Sequence, residues 1–449
     1  MGEFEITCLP IWMAMADKDR LTVRLGIIEG RTHSLYEEIL RAPPDGVTYV
    51  TDGVASPGSP APRKRSFAGV LRRSSAVRAV SDRVFVRALP KPGKAPGGVS
   101  YGLSRAMSRL AGGKSTADRD SKGFDVFHSA GHSMIENIPW ILKNDVHWVV
   151  DFEHAASLFG YYGDWRRRVY KKSAQLILEK QLASGYCRKL LPWTEAGRSS
   201  LQNIIKSKEI EAKTEALRLA IRPSPPRPKD IEKHDTVRIL FVGSANFQGE
   251  FWSKGGLEVL ESFRLLREQF GQKVELVFRC WMPDELKAKY GSMVGIRTSC
   301  DLLPRDEFDK LFWGSDIFLF PAHNSPGLAF LDAMRFGLPV VGKDLWANRE
   351  TIEDGVTGFL VKPSEKIPYL LPGNLPNWGG DDTDFLSYMK TRDDRVIGDL
   401  VERLSRLVES ENLRKKMGAA GRKEVEEGRA SIKNRNIMLR RIYEESARR

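Results

Sequence analysis

Along two long stretches of the chain, short apolar runs alternate with segments whose apolar residues recur at every third or fourth position. That alternation predicts strands and helices in turn, the repeating unit of an open parallel α/β sheet. The first series, 21–222, places strands at 21–28 (LTVRLGII), 46–50, 124–128 (FDVFH), 146–152 (VHWVVDF) and 189–193. Helices are expected between them at 34–41, before 142, at 166–182 and at 194–205. The second series, 236–430, places strands at 237–242 (VRILFV), 274–279, 295–297, 317–321, 339–342 and 359–362. Its helices fall at 257–268, 283–290, 307–313 and 328–336, with charged helices at 396–409, 412–427 and 432–448 closing the chain. Residues 223–235, rich in proline and charge, read as a linker between two domains, and 364–394 as an irregular insertion.

The residues that carry chemistry concentrate in 316–363. After the buried strand, polar residues 322–326 turn the chain, and Gly327 opens a helix with Leu328, Leu331, Ala333 and Met334 on one face. The first turn of a helix has unpaired N–H groups and the positive end of the macrodipole. A glycine there lets a phosphate approach the backbone. Asp332, five residues on, is placed to accept hydrogen bonds from paired sugar hydroxyls. Taken singly, each piece is ordinary packing or capping.

Taken in order, they resemble the donor-binding segment of retaining GT-B glycosyltransferases, the "group 1" or family-four class. That family has a Glu, seven residues and a second Glu, then Ala-Met, Gly-x-Pro-Val-Val and Asp-Gly-x-Thr-Gly. The chain has Asn324, seven residues, Asp332-Ala333-Met334, Gly337-Leu338-Pro339-Val340-Val341, Glu350 and Asp354-Gly355-Val356-Thr357-Gly358. Upstream, His128 and His154 at strand ends and Thr194-Glu195-Ala196-Gly197-Arg198 match more faintly. The resemblance implies two Rossmann-like doubly wound domains facing across a cleft, with residues 431–449 returning to the first. It implies transfer of a sugar from a nucleotide diphosphate sugar with retention, using neither a metal nor any other cofactor.

It also implies roles. Lys254 stands where a cation meets the diphosphate, and Gly243-Ser244 where the family has an Arg after Val-Gly. Serine brings a hydrogen bond but no charge, which leaves Arg279 or Arg31 as candidate replacements. Asn324 takes the place of the Glu that contacts the transferred sugar, and Asp332 that of the Glu on the ribose. His323, Gly327 and Leu328 complete the implied donor-binding set, and His154 the implied catalytic set with Lys254 and Asn324.

Composition narrows the class. With 449 residues, 41% hydrophobic and 29% charged, the chain has the make-up of a soluble two-domain protein. No apolar run reaches the ~20 residues that span a bilayer. Residues 6–16 are apolar but lack a basic flank, so 1–20 read as a poorly ordered leader rather than a signal peptide. Four scattered cysteines suit a reduced, cytosolic protein and no metal site. Of the net charge of +13, +12 lies in 61–122, where fifteen Lys/Arg face three Asp. Expected basic amphipathic helices at 66–78 and 101–111, with a strand at 83–89 between them, carry Phe67, Val70, Leu71 and Val77, and then Leu103, Met107 and Leu110. This block calls for an anionic partner, a membrane surface or an acidic acceptor. The expectation is therefore an enzyme peripheral on the inner membrane face, acting on a lipid-linked or anionic glycan. A catalytically weak GT-B scaffold is the alternative that Asn324 and Ser244 suggest. A nucleic-acid-binding protein is the other, but the block has few aromatics and no recognition motif, so no nucleic acid is expected.

Overall fold

The computed structural model describes residues 20–26, 34–51, 123–131, 146–160, 165–231, 234–243, 250–325, 327–377 and 383–448. Residues 1–19 of the expected leader, the basic block with its helices and strand, the helix before 142, Arg31 and Ser244 lie outside them. The described residues fall into two compact units. One is drawn from Met1–Arg218, Gly373–Leu375 and Arg435–Arg449, the other from Leu219–Pro372 and Pro376–Asn434.

The first unit is built on five parallel strands: β1 (Leu21–Gly26), β2 (Val47–Val50), β3 (Val126–Ala130), β4 (Trp148–Phe152) and β5 (Cys187–Pro192). Their order is β2-β1-β3-β4-β5, one of the two common doubly wound arrangements. Every residue of β3 and β4 is buried, as strands covered on both faces require. The continuous helix expected over 166–182 is two helices, Trp165–Tyr170 and Lys172–Ala183, because Lys171 is extended. The break is accommodated: Gln175 donates to the freed Val169 carbonyl at 2.9 Å, and buried Arg168 donates to the carbonyls of Phe159 and Gly160. Helix Glu195–Ile204 starts where the sequence signals it, with the Thr194 hydroxyl accepting from Gly197 N–H. A short helix, Lys208–Lys213, capped by Ser207, was not expected.

From Arg435 on, the last helix, Ile432–Ala447, belongs to this unit. Leu439, Ile442 and Tyr443 pack with Val23, Val126 and Val149 of the sheet. The Tyr443 hydroxyl stands 2.7 Å from His128 Nδ1, His128 Nε2 stands 3.0 Å from Asp151, and Tyr36 and Trp193 both donate to Asp151. The helix is thus fixed by a closed polar network inside an apolar core, where each group would be costly alone.

The second unit has six parallel strands: β6 (Val237–Val242), β7 (Val274–Arg279), β8 (Ile296–Ser299), β9 (Ile317–Leu319), β10 (Val340–Lys343) and β11 (Gly358–Val361). The order β11-β10-β9-β6-β7-β8 is that of a dinucleotide-binding Rossmann sheet. The insertion expected to be irregular holds helix Thr383–Met389, whose Phe385 and Met389 close a small apolar cluster with Leu345, Ile367 and Tyr369. Among the described residues no helix is long and apolar enough to cross a membrane.

Candidate functional site

In the second sheet the chain runs from β6 outward through β7 and β8, then returns to the other side of β6 as β9. In open α/β sheets the crevice beyond the carboxyl ends of the strands, where the order reverses, is where ligands bind. Gly243 leaves β6 at that edge. Its N–H donates to the Arg279 carbonyl at 2.8 Å, and any Cβ there would collide with the Cys280 sulfur. The short helix Glu250–Ser253 then leads to Lys254 and to Gly255, which caps helix Gly256–Phe270. Gly255 has φ +79°, and a Cβ on it would run into the Pro321 carbonyl just beyond β9. Only glycine permits this crossing, and the crossing brings Lys254 to the edge. Lys254 Nζ lies 3.2 Å from Glu250 Oε2 and 6.0 Å from the centre of the Phe320 ring.

His323 follows in the next loop, tied down by its N–H to the Ser253 carbonyl at 2.8 Å. Its side chain is 1% exposed and turned into a buried cluster that the sequence does not reveal. Nε2 is 2.8 Å from Glu258 Oε1 and Nδ1 is 2.9 Å from the Tyr369 hydroxyl. Lys343 Nζ, fully buried, is 2.7 Å from the same Glu258 oxygen. A carboxylate only accepts, so Nε2 carries the proton and Nδ1 accepts from tyrosine. Burial, then the neighbouring Lys343 charge, hold the His323 pKa below its ordinary value. Burial would raise the Glu258 pKa, but Lys343 and His323 outweigh it and leave the carboxyl well below the usual range. The arrangement is a Glu258–Lys343 ion pair against a neutral imidazole. With both ring nitrogens engaged, what His323 offers a ligand is its backbone.

Asn324, next in the loop, has Oδ1 buried with no hydrogen-bond partner among the described residues. Helix Gly327–Arg335 follows. A Cβ at Gly327 would press on the Leu219 side chain, and Leu328 packs against the unit's core. Asp332 Oδ1 meets Arg305 at 3.0 Å and Arg335 at 3.1 Å, and Asp309 bridges the same two guanidinium groups. Its carboxylate is already held by two cations, though its 24% exposure leaves acceptor capacity toward solvent. His154 lies in the first unit, 1% exposed, at the start of helix Ala155–Leu158. Its ring centroid is 6.3 Å from that of Trp165. The second unit thus contains Gly243, Lys254, His323, Asn324, Gly327, Leu328 and Asp332, and the first contains His154. Glu258, Lys343, Tyr369 and Arg305 were not foreseen. The one sequence signal was Lys343 itself, a charge ending an otherwise apolar strand.

Both units are Rossmann-like parallel α/β folds, close in fold to GT-B glycosyltransferase structures. The sucrose-phosphate synthase of Thermosynechococcus elongatus superposes with a TM-score of 0.55 at 14% identity, over 95% of this chain and 99% of that one. Anabaena HepE, in complex with UDP and glucose, gives 0.55 at 10% identity over 94% and 98%. Residues 236–368 match the family described as "Glycosyl transferases group 1". A glycogen synthase of Pseudomonas savastanoi pv. phaseolicola is 38% identical over 81 residues, 18% of this chain. The match spans only 16% of that relative's length.

Proposed function

We propose that the protein is a retaining, nucleotide-sugar-dependent glycosyltransferase that acts at the cytoplasmic face of a membrane on a lipid-linked or other glycan acceptor. The observation that carries this is one sheet edge. Gly243, Lys254, the Asn324 loop and the start of helix Gly327–Arg335 converge at the reversal point of the second sheet, inside the segment that matches the group 1 family. Departure of a nucleoside diphosphate concentrates negative charge on phosphate oxygens, so fixed cations and N–H groups aimed there lower the barrier. Lys254 supplies a cation, and the first turn of helix Gly327–Arg335 supplies N–H groups. The Asn324 amide, with an acceptor oxygen left unused, suits a sugar hydroxyl, and Asp332 the ribose. In this reading His154 belongs to the catalytic set with Lys254 and Asn324, the departing phosphate takes the acceptor proton on the same face, and residues 61–122 hold the anionic surface. No metal is invoked.

The test is incubation with UDP-, GDP- and ADP-hexoses plus a lipid-linked acceptor extract, following nucleoside diphosphate release and, by NMR, the anomeric configuration of the product. Release with retained configuration is expected, and an inverted product ends the retaining assignment. A second reading, a donor-binding scaffold with little turnover, is favoured by the Arg305 and Arg335 bridges to Asp332 and by an amide at 324. Tight nucleotide-sugar binding without transfer or hydrolysis would select it.

A further inference from the structure

The last residue of β7 is a buried cation with no salt-bridge partner among the described residues. Arg279 is 7% exposed. Its Nη1 donates to the Gly243 carbonyl at 3.2 Å and its Nη2 to the Asp301 carbonyl at 2.7 Å, while its plane lies 5.3 Å from the Phe308 ring centre. Both hydrogen-bond partners are neutral backbone groups. Nε is buried with no hydrogen-bond partner, and no carboxylate comes within 4.0 Å of the guanidinium, among the described residues. The six residues that follow Gly243, SANFQG, carry no carboxylate either. Burial draws the Arg279 pKa down, and Cys280, Asp301 and Cys300 offset this only in part. A guanidinium cannot escape by losing its proton, so a buried, unpaired one is an unfavourable arrangement unless an anion completes it.

Its position says which edge that anion would reach. Arg279 pairs in register with Val242, one residue before Gly243, at the carboxyl end of the sheet. The Cys280 thiol, against Gly243, feels Arg279 and Lys254 together; burial first and Glu250 next push its pKa up to about 12, and the two cations act against them. Lys254 has a carboxylate partner in Glu250, and Arg279 has none within 4.0 Å among the described residues. Of five guanidinium N–H donors, two are used. The remaining three are of the kind that charge-assisted hydrogen bonds to phosphate oxygens use.

We propose that Arg279 is an anion-binding residue of this edge, taking a phosphate group of a nucleoside diphosphate beside Lys254. The identity of the nucleotide rests on the function proposed above; the anion site does not. The experiment titrates the full chain with inorganic pyrophosphate, UDP and ADP, and with uridine and adenosine as uncharged controls, by calorimetry and thermal unfolding. Arg279→Gln and Arg279→Lys are compared with wild type. All three anions should stabilise wild type. Arg279→Gln should weaken their binding by at least ~30-fold, the lower end for truncating one partner of a buried charge pair. Arg279→Lys should lose less, and any nucleoside binding should persist in both.

If Arg279→Gln binds the anions as wild type does, or loses nucleosides and anions equally, the residue is only a clamp between two carbonyls and the proposal fails. It fails too if neither pyrophosphate nor a nucleoside diphosphate stabilises wild type, a result that needs no folded variant. Pyrophosphate binding that depends on Arg279, without nucleotide-sugar binding or turnover, would keep the anion site and end the glycosyltransferase reading. Turnover that survives in Arg279→Gln with unchanged KM would do the reverse.

Discussion

A single buried imidazole gives the sharpest physical test at the residue scale. His323 is neutral because burial and the adjacent Lys343 charge oppose its protonation. In the unfolded chain it titrates near its ordinary value of 6.5. Between that pH and the depressed folded value the unfolded state binds more protons, so stability rises with pH and falls on acidification. The slope is at most about 1.4 kcal/mol per pH unit for one group. Glu258 works in the same direction but lower, its stabilising contribution being lost only below its ordinary value of 4.5. Thermal unfolding from pH 7.5 to 5.5 should therefore show a falling midpoint in wild type and a flatter profile in His323→Gln. Parallel profiles would mean that His323 is not the buried neutral group described. Lys254 gives a test of chemistry rather than stability. Lys254→Ala, folded as wild type, is expected to lower turnover by at least ~10²-fold, the scale for one lost transition-state stabiliser. Near-normal initial rates would remove Lys254 from the mechanism.

Among the elements, Gly255 controls how the helix Gly256–Phe270 meets the sheet. With φ +79° and the Pro321 carbonyl where a Cβ would sit, Gly255→Ala faces both backbone strain and a collision with main chain. A loss of about 1–3 kcal/mol is expected from the strain alone, measured by denaturant midpoint at constant m-value. A change below ~0.5 kcal/mol, the range of innocuous surface substitutions, would show that the loop simply shifts. Strands were the legible part of this fold because burial on both faces writes them as apolar runs: Val237–Val242 and Val274–Arg279 begin and end where the sequence places them. Helix boundaries followed caps, as at Thr194. What escaped was decided by single backbone angles or distant partners. Lys171 breaks one expected helix through its own extended conformation. Lys208–Lys213 is mostly polar, with only Ile210 buried, and leaves no periodic trace. The site was half legible for the same reason. Lys254 and Gly327 are local signals of loop and helix start, whereas Glu258 finds Lys343 eighty-five positions away. That pairing follows from packing of helix Gly256–Phe270 against the sheet, which no periodicity encodes.

At the scale of the whole molecule the dominant property is charge, and it is unevenly placed. Of the net +13, residues 61–122 hold +12, so the rest of the chain is nearly neutral. Among the described residues no helix is long and apolar enough to cross a membrane. The proposed attachment is electrostatic, with shallow apolar contact beside it. Each Lys or Arg near an anionic surface contributes about 1 kcal/mol, fading beyond a Debye length of about 8–10 Å at ordinary salt. The apolar residues Phe67, Val70, Leu71 and Val77 would add a modest, reversible term. Charge being the larger of the two, binding should require anionic lipid and weaken steeply with salt. Replacing Arg63, Lys64, Arg65, Arg72 and Arg73 with Gln should release the protein from phosphatidylserine-containing vesicles in co-sedimentation. Nucleotide-sugar binding should be unchanged, because the proposed donor residues of the second unit lie far along the chain in 243–332. If the variant still sediments, or wild type binds neutral vesicles equally well, charge is not what draws the protein to a surface. The block would then be assigned to a polyanionic acceptor, which the same variant should bind less tightly in solution.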